Sequence, residues 1–528
     1  MQIRGQLIPT LNMLNQWPRF RLRLFFEGAV IGMLSGTVIS FFRWALEAGT
    51  RYREHVYTLL VNGDIWLNLA WFCVLLASAF ILYGLTVLEP MSAGSGIPQV
   101  KGVILGRIKM RWFRILWVKL VGGILGIGLG LSLGREGPSI QIGAVTAQGL
   151  SRTLGRTRME ERYLITAGAS AGLAAAFNAP LAGVIFALEE LHRNFSGAVL
   201  APSMAAALMA TIVSRVVFGH GAVFQFGDLP IFAIRYMWSA VLVAAVMGVA
   251  GYVFNFGLLH MNRFYNLPVF FRPYTRVVFA LICAGILGYV MPDVLGGGND
   301  LINKFSTIPI SLTIFLALLI GKFIFTLISY GCGVPGGFFL PMLVLGALSG
   351  ATCAIVLIQL GLIPANYFSN IVVVSMAAFF AASVHSPITG TILIMEMTGS
   401  YPHLLVLCLG SMIALVVARL LHGEPIYDAL LQRTLAGGKP SVPASERRNI
   451  IELTVCSGSM VDGKTVGRVT WPPHMILVDI KRGTDQLLPE QSTRLHAGDY
   501  IYVLTDDIEA ASAVKDLVER EMHNNYKK

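Results

Sequence analysis

Charged residues are scarce in this chain: Asp, Glu, Lys and Arg make up 13% of its 528 residues, and 55% are hydrophobic. Soluble domains carry about 25% charged residues, so the composition excludes a soluble protein of this length. Six cysteines lie scattered without a CxxC pair or a metal-ligand spacing, as buried apolar residues do. The sequence also lacks a P-loop and a nucleophile–base set, so we expect no enzyme, no cofactor and no resident metal.

Long apolar runs recur throughout the first 420 residues. A hydrocarbon core of ~30 Å is crossed by about 20 helical residues. A membrane β-barrel would instead show alternating segments of about 10 residues. The sequence therefore predicts an α-helical polytopic membrane protein, with spans that include Trp66–Leu88, Trp117–Leu133, Trp238–Leu259, Leu312–Ile328 and Leu404–Leu421.

The net charge of +11 is distributed unevenly along the chain. Residues 446–528 hold 11 basic and 13 acidic residues, so the rest of the chain carries +13. That excess lies in short loops, among them residues 99–114, and in the amino-terminal arm. By the positive-inside rule we expect both segments to be cytoplasmic. Because the charges are borne by loops and form no folded basic face, we expect no nucleic-acid partner.

Composition separates a membrane unit from the arm that precedes it. Residues 1–25 form a basic arm, which Pro9 and Pro18 should make irregular until a helix begins near Arg21. Residues 26–435 form the transport domain, rich in glycines that let helices pack closely in lipid.

A change of character marks the carboxyl-terminal part. Residues 436–445, rich in Gly, Pro and Ser, form a linker, and residues 446–528 form a small soluble α/β domain that we expect to be cytoplasmic. A domain of about 80 residues buries a thin core, which favours dimerisation. The predicted elements are strands at Ile450–Val455, Met475–Ile480 and Tyr500–Leu504 and a helix at Asp507–Glu521.

Two pairs of segments in the membrane unit look like copies of one another. Gly134–Ala144 matches Gly337–Ala347 at an offset of 203, and Asn178–Glu189 matches His385–Glu396 at an offset of 207. Two matches in the same order indicate a duplicated unit of two halves. Hydrophobic segments broken at corresponding places in two halves are the best sequence pointer to a transport site.

Three Gly- and Pro-containing breaks interrupt the apolar sequence, at Gly94–Pro98, Gly134–Pro138 and Gly336–Pro341. Proline suits the first turn of a helix, and glycine lets an ion approach the backbone. Helix amino termini supply positive potential without bare cations in lipid, so the breaks indicate an anion site. The motif residues are Gly94, Gly96, Pro98, Gly134, Arg135, Gly137, Pro138, Gly337 and Pro341.

These motifs are similar to those of the CLC chloride channel and transporter family. Gly94–Pro98 resembles its GSGIP motif, Gly134–Pro138 its GREGP motif, and Gly337–Pro341 its GxFxP motif, while Tyr427 matches its pore tyrosine. The matches cover nearly the whole membrane unit. The resemblance implies a homodimer in which each subunit is an inverted repeat with its own pore, here in the inner membrane of a prokaryote.

The resemblance also assigns roles to particular residues. It implies that the hydroxyl groups of Ser95 and Tyr427 and the backbone amides of Phe338 and Phe339 bind chloride. Glu136 would be the outer gate, its carboxylate competing with chloride until a proton neutralises it. A carboxylate inside an anion site couples anion occupancy to proton binding on physical grounds as well. The alternative is that Glu136 only pairs with Arg135.

Glu190 matches the family's internal proton-transfer glutamate. Two separated carboxylates, Glu136 and Glu190, favour Cl⁻/H⁺ antiport over a passive chloride channel of the same fold. The alternative is a structural charge at a helix end that faces the cytosol or pairs with Arg193. Gln99 and Lys101 occupy positions where some exchangers carry acidic residues, so a passive chloride channel stays an alternative.

The tail contains segments similar to the C-terminal subdomain of TrkA-type potassium-transport regulators, such as Leu495–Leu504. That resemblance implies a dimeric module for sensing an unidentified ligand. It suggests a lesser alternative, a ligand-sensing membrane subunit or a potassium system. The membrane unit lacks the four repeated filter segments of a potassium pore. Ser95 favours chloride over the fluoride branch of the family.

Overall fold

The structure is a computed structural model that describes residues 3–61, 63–193, 197–226, 229–270, 272–306, 311–437, 449–473, 475–482, 485–505, 513–514 and 516–518. It divides into two compact units, Met1–Thr434 and Leu435–Lys528. Nine helices in the described residues are long and apolar enough to cross a membrane.

The described secondary structure of the first unit is helical. Four of the five predicted spans coincide with helices long enough to cross a membrane. The predicted span Trp117–Leu133 is wrong, because the helix there ends at Gly128, before a glycine with positive φ at position 130. Its helices are α1 (Ile3–Val61), α2 (Ile65–Leu88), α3 (Ile97–Ile104), α4 (Trp112–Gly128), α5 (Glu136–Thr153), α6 (Arg158–Phe177), α7 (Pro180–Phe186), α8 (Gly197–Phe218), α9 (Met237–Tyr265), α10 (Pro273–Val290), α11 (Asn299–Asn303), α12 (Leu312–Gly331), α13 (Phe339–Gln359), α14 (Phe368–Val384), α15 (Pro387–Thr398), α16 (Leu404–Leu420) and α17 (Ile426–Gly437). A π-helical turn, Ala187–His192, continues α7.

Helices α1–α8 correspond in order to α9–α16, as the duplicated sequence motifs predict. α1 packs on α6 and α8, and α9 packs on α14 and α16 in the same way. α5 packs on α6, and α13 on α14. α17, which carries Tyr427, follows the second copy, and the described residues that follow α8 in the first copy form no equivalent helix.

The expected irregular start of the chain is wrong. α1 is helical from Ile3, and so includes Pro9 and Pro18. A proline removes one backbone hydrogen bond and fixes φ near a helical value, so the helix can continue through it at the cost of that bond. Both prolines precede Leu22–Val61, the part of α1 long and apolar enough to cross a membrane.

A buried lysine holds the loop between the second and third helices of each copy. Lys119 Nζ donates to the carbonyl oxygens of Ser92 and Gly94, at 2.8 and 2.6 Å. Lys322, 203 residues later, donates in the same way to Val294 and Gly296, at 2.9 and 2.7 Å. Both lysines are 0% exposed. Each lysine therefore ties the irregular backbone of one loop to the fourth helix of the same copy.

The two copies also cap each other's short helices. The carboxylate of Glu189 accepts hydrogen bonds from the backbone of Ile388 and Thr389, at 3.3 and 2.8 Å, at the start of α15. Glu396 accepts from Leu181 and Ala182, at 3.2 and 2.8 Å, at the start of α7. A carboxylate at a helix amino terminus is favourable because it meets unpaired N–H groups and the positive end of the helix.

The second unit contains the predicted small sheet. Strands β1 (Asn449–Thr454), β2 (Met475–Arg482), β3 (Asp485–Leu487) and β4 (Tyr500–Thr505) form an antiparallel sheet in the order β1-β4-β2-β3. Most of the predicted helix at Asp507–Glu521 lies outside the described residues. The buried core of the unit comprises Leu453, Val455, Val461, Ile480, Leu495, Ile501, Val503, Val514 and Val518.

Candidate functional site

Backbone hydrogen bonds bring the three predicted motifs together. The N–H of Gly134 donates to the carbonyl of Gly337 at 2.5 Å, and the N–H of Gly337 donates back at 2.9 Å. The N–H of Gly336 donates to the carbonyl of Gly94 at 3.0 Å. The two copies therefore join at their matching motifs, and the third motif is attached to the same point.

Three helices begin where the motifs meet. α3 begins at Ile97, α5 at Glu136 and α13 at Phe339. The first N–H groups of each helix have no partner within the helix, and its amino terminus carries a partial positive charge. Phe338, Phe339, Gly137 and Pro138 all lie at these starts, as the sequence predicts.

Glycines permit the close approach of the segments. Gly96 has a φ of +87°, which L side chains rarely adopt. A Cβ on Gly137 would lie 2.7 Å from the carbonyl oxygen of Ser95, closer than atoms can pack. Side chains at either position would separate the GSGIP loop from the start of α5.

Glu136 lies at this junction and is 0% exposed. Its Oε2 is 3.3 Å from the backbone nitrogen of Leu340, in the first turn of α13. Its Oε1 has no hydrogen-bond partner among the described residues. The alternative in which Glu136 only pairs with Arg135 does not fit, because Arg135 Nη1 lies 3.3 Å from Glu47 and the carboxylate of Glu136 accepts from another helix.

Tyr427 is also fully buried, and its hydroxyl group has no hydrogen-bond partner among the described residues. Its ring stacks on that of Phe338, with centroids 5.5 Å apart, and meets the edge of Phe186 at 6.3 Å. A buried hydroxyl without a partner is uncommon, and it marks a position where a ligand can accept a hydrogen bond.

Ser95 is 2% exposed and lies one residue before Gly96. Its Oγ accepts a hydrogen bond from the backbone nitrogen of Ile97 at 3.2 Å. That bond uses a lone pair of the oxygen, and the side chain of Ser95 also has a hydrogen bond with Tyr330.

Aromatic rings enclose the start of α13. Phe339 lies 5.7 Å from Phe177, 6.1 Å from Phe186 and 5.0 Å from Phe380, measured between ring centroids. Such a shell excludes water, and electrostatic interactions inside it are stronger than in solution.

Glu190 lies apart from this junction, in the π-helical turn, and is 2% exposed. Its Oε1 is 2.6 Å from Lys101 Nζ, and its Oε2 accepts from Ser386 Oγ at 3.0 Å. The alternative pairing with Arg193 is wrong: Arg193 contacts Asp428 instead. In a π turn the backbone bonds run from i to i+5, and such turns are frequent at functional sites.

A cavity of about 530 Å³ borders the Glu136 side of the junction. Its lining carries both signs of charge and includes Leu340, whose amide contacts Glu136. The charged lining residues are Glu47, Arg51, Arg53, Glu54, Arg135, Asp293, Asp300 and Lys304.

Sequence reasoning missed several contacts of the two glutamates. The amide of Leu340 follows the two predicted amides, and only the orientation of α13 selects it. Lys101 and Ser386 lie 89 and 196 residues from Glu190 along the chain. The sequence did contain an indication for Ser386, because this residue directly precedes Pro387 in the second repeated motif.

Comparisons with known proteins agree with both parts of the chain. A family model described as voltage gated chloride channel matches residues 73–419, and a TrkA-C domain model matches residues 450–517. These matches confirm both resemblances that the sequence motifs predict.

Individual relatives match over most of their length. An H(+)/Cl(-) exchange transporter, ClcA, of Vibrio parahaemolyticus is 35% identical over 423 residues, which cover 78% of this chain and 90% of the relative. The crystal structure of a slow cyanobacterial Cl⁻/H⁺ antiporter matches with a TM-score of 0.73 and 31% sequence identity. The match covers 79% of this chain and 98% of the antiporter chain.

A CLC-type fluoride/proton antiporter shares the fold, with a TM-score of 0.62 and 24% sequence identity. The match covers 75% of this chain and 95% of that antiporter chain. The duplicated helices, the junction of three helix starts and the family match all describe one architecture. The chain is an integral membrane protein, and it belongs to the CLC family of voltage gated chloride channels, with a TrkA-C domain at its carboxyl end.

Proposed function

We propose that the protein is a Cl⁻/H⁺ antiporter of a prokaryotic inner membrane. Glu136 is its outer gate, and Glu190 is its inner proton-transfer residue. The observation that carries the proposal is the presence of two buried carboxylates in separate surroundings, one at the helix starts and one beside Lys101 and Ser386. The names of the relatives, which are exchange transporters and an antiporter, support it.

Glu136 has the geometry of a gate that competes with an anion. Its charged carboxylate accepts from the amide of Leu340, and an anion would use the same kind of donor. A proton removes the charge, and the neutral acid competes poorly for N–H groups at a helix start. Chloride then takes the donors that the carboxylate leaves, so anion movement depends on proton binding.

Chloride on the inner side of Glu136 has donors of two kinds. The hydroxyl groups of Ser95 and Tyr427 donate from one side, and the backbone amides of Phe338 and Phe339 donate from the start of α13. The ring stack of Phe338 on Tyr427 keeps these donors in a fixed relation. Neutral donors suit a transported anion, because a fixed cation would bind it too tightly to release.

Glu190 provides a proton position away from the anion donors. Protons and chloride can then share the outer part of the path and separate on the inner side. The amino terminus and the carboxyl-terminal domain would face the cytoplasm, and two copies of the chain would form a homodimer. The TrkA-C domain would sense a ligand.

A passive chloride channel is the second candidate, and one contact favours it. Lys101 Nζ lies 2.6 Å from Glu190 Oε1, and a structural ion pair alone would account for both buried residues. In a channel Glu190 would be a structural partner of Lys101 and would carry no protons.

Flux in sealed liposomes separates the two candidates. The purified protein is reconstituted under a chloride gradient without a pH gradient. Uphill proton movement that is lost in Glu136→Ala and in Glu190→Ala supports the antiporter and both residue roles. Chloride flux without proton movement in the unmodified protein would instead identify a channel.

A further inference from the structure

Four charged side chains form a connected row that starts at Glu190. Lys101 Nζ lies 2.6 Å from Glu190 Oε1 and 2.5 Å from Asp428 Oδ1. Arg193 contacts the other carboxylate oxygen of Asp428. Glu190 and Lys101 are buried, with side-chain exposures of 2% and 1%, whereas Asp428 is 24% and Arg193 53% exposed.

Lys101 differs from the other two buried lysines in what it contacts. Lys119 and Lys322 each donate to two backbone carbonyls and hold loops. The contacts described for Lys101 are with two carboxylates instead. Removing a charged partner from such a buried group leaves the other charge uncompensated, so the three groups respond to one another.

The row joins three elements that carry, or directly follow, a residue of the transport site. Lys101 lies on α3, the helix that follows Ser95. Glu190 lies in the π turn. Asp428 lies on α17 directly after Tyr427. A change in the charge of Glu190 therefore reaches the helix that holds the tyrosine through a single side chain.

We propose that Lys101 is a positioning residue that links the charge of Glu190 to the anion donor Tyr427 through Asp428. The inference rests on the proposed antiport. While Glu190 is charged, its carboxylate and that of Asp428 share the ammonium group. When Glu190 binds a proton, Lys101 loses that ionic partner and keeps only Asp428, so it no longer ties the π turn to α17 and its tyrosine.

Other groups near Glu190 act on it less directly. Tyr427 and Arg193 are electrostatic neighbours of Glu190, and Ser386 donates a hydrogen bond to it. His385 adjoins Ser386 and is close to Arg193, Arg419 and Asp428. Lys101, in contrast, lies within 2.6 Å of both the Glu190 and the Asp428 carboxylates.

The test is the number of protons moved per chloride by the full-length protein in liposomes. Lys101→Met and Asp428→Asn should each lower that number about fivefold or more, as expected for a coupling between two sites. Chloride turnover should fall less than proton turnover. Lys101→Arg, which keeps the charge, should restore the proton number. Arg152→Met removes an exposed ion pair with Glu161 and is the matched control, with an unchanged ratio.

Several outcomes would overturn the inference. Equal loss of proton and chloride turnover in Lys101→Met would show a purely structural lysine. A normal ratio in Asp428→Asn, with a low ratio in Lys101→Met, would show that Lys101 acts on Glu190 alone. If Lys101→Met does not fold, Asp428→Asn still decides, because asparagine keeps the shape of the aspartate.

Proton movement in the unmodified protein distinguishes a failure of this inference from a failure of the proposed antiport. A parent protein that moves no protons uphill would exclude the antiport and this link together. A parent that moves protons uphill, with an unchanged ratio in Lys101→Met and in Asp428→Asn, would exclude only the link.

Discussion

The two halves of the membrane unit share their supporting contacts and differ in their ionisable site residues. Lys119 and Lys322 hold equivalent loops, and Glu189 and Glu396 cap equivalent helices. At the offset of 203, however, Glu136 aligns with Phe339, and at the offset of 207 Glu190 aligns with Met397. Residues that occur twice maintain the fold, whereas the two proposed proton residues occur once.

The largest expected effect follows substitution of the gate. In Glu136→Gln the side chain carries no charge at any pH, so proton movement should stop and chloride flux should lose its dependence on pH. Phe339→Leu, at the aligned position, keeps the backbone amide and should retain proton movement. Proton and chloride fluxes in liposomes between about pH 4 and 7 measure both, a range that spans ordinary carboxylate titration.

Retained proton movement in Glu136→Gln would remove the distinction between the two halves. Loss of proton movement in Phe339→Leu as well would show that the ring of Phe339, and not only its backbone amide, is required.

The next effect is confined to protons. Glu190→Gln should abolish uphill proton movement while chloride flux keeps its pH dependence, because Glu136 still titrates. Met397→Leu, at the aligned buried position, preserves an apolar side chain of similar volume and should leave the Cl⁻/H⁺ ratio unchanged. The ratio of the two fluxes in liposomes measures the contrast, and a changed ratio in Met397→Leu would contradict it.

The lysines should show equal losses of stability. Lys119→Met and Lys322→Met each remove two charge-assisted hydrogen bonds to buried carbonyls, so each should cost about 3 kcal/mol or more. Denaturant unfolding of the purified protein in detergent measures the free energy of unfolding. A large loss at only one of the two positions would show that the loops are not equivalent.

The smallest effect concerns the helix caps. Glu189→Ala and Glu396→Ala should each cost about 1 kcal/mol, the usual value of a lost cap. Glu189→Gln and Glu396→Gln keep an acceptor oxygen and should cost less. The same unfolding experiment applies, with proton movement as the second readout. A lost Cl⁻/H⁺ coupling in Glu189→Ala would give that residue a role beyond capping.

Local sequence predicted much of the fold and the junction, because the signals were local. Glycine and proline marked the starts of α3, α5 and α13, and the two offsets indicated the duplication, although not the hydrogen bonds between Gly134 and Gly337. The shared motif also indicated that Glu136 would lie at a helix start.

The contacts that the sequence did not predict join distant residues. Nothing near Glu190 in the chain indicates Lys101 or Ser386 as partners, and Arg193 was the nearer cation. The tertiary fold determines the partner of Glu190. Lys101 is buried beside Glu190, whereas Arg193 is half exposed and contacts Asp428. Choosing Leu340 for Glu136 likewise required the orientation of α13.

The reciprocal bonds between Gly134 and Gly337 have a consequence for biosynthesis. At 5–20 residues per second, a ribosome needs about 10–40 s to add the 203 residues that separate them. Until then, polar backbone groups around Gly134 lie at membrane depth without their final acceptors, which lipid cannot supply. The first half of the nascent protein must therefore wait in the translocon, or beside water, until its later copy emerges.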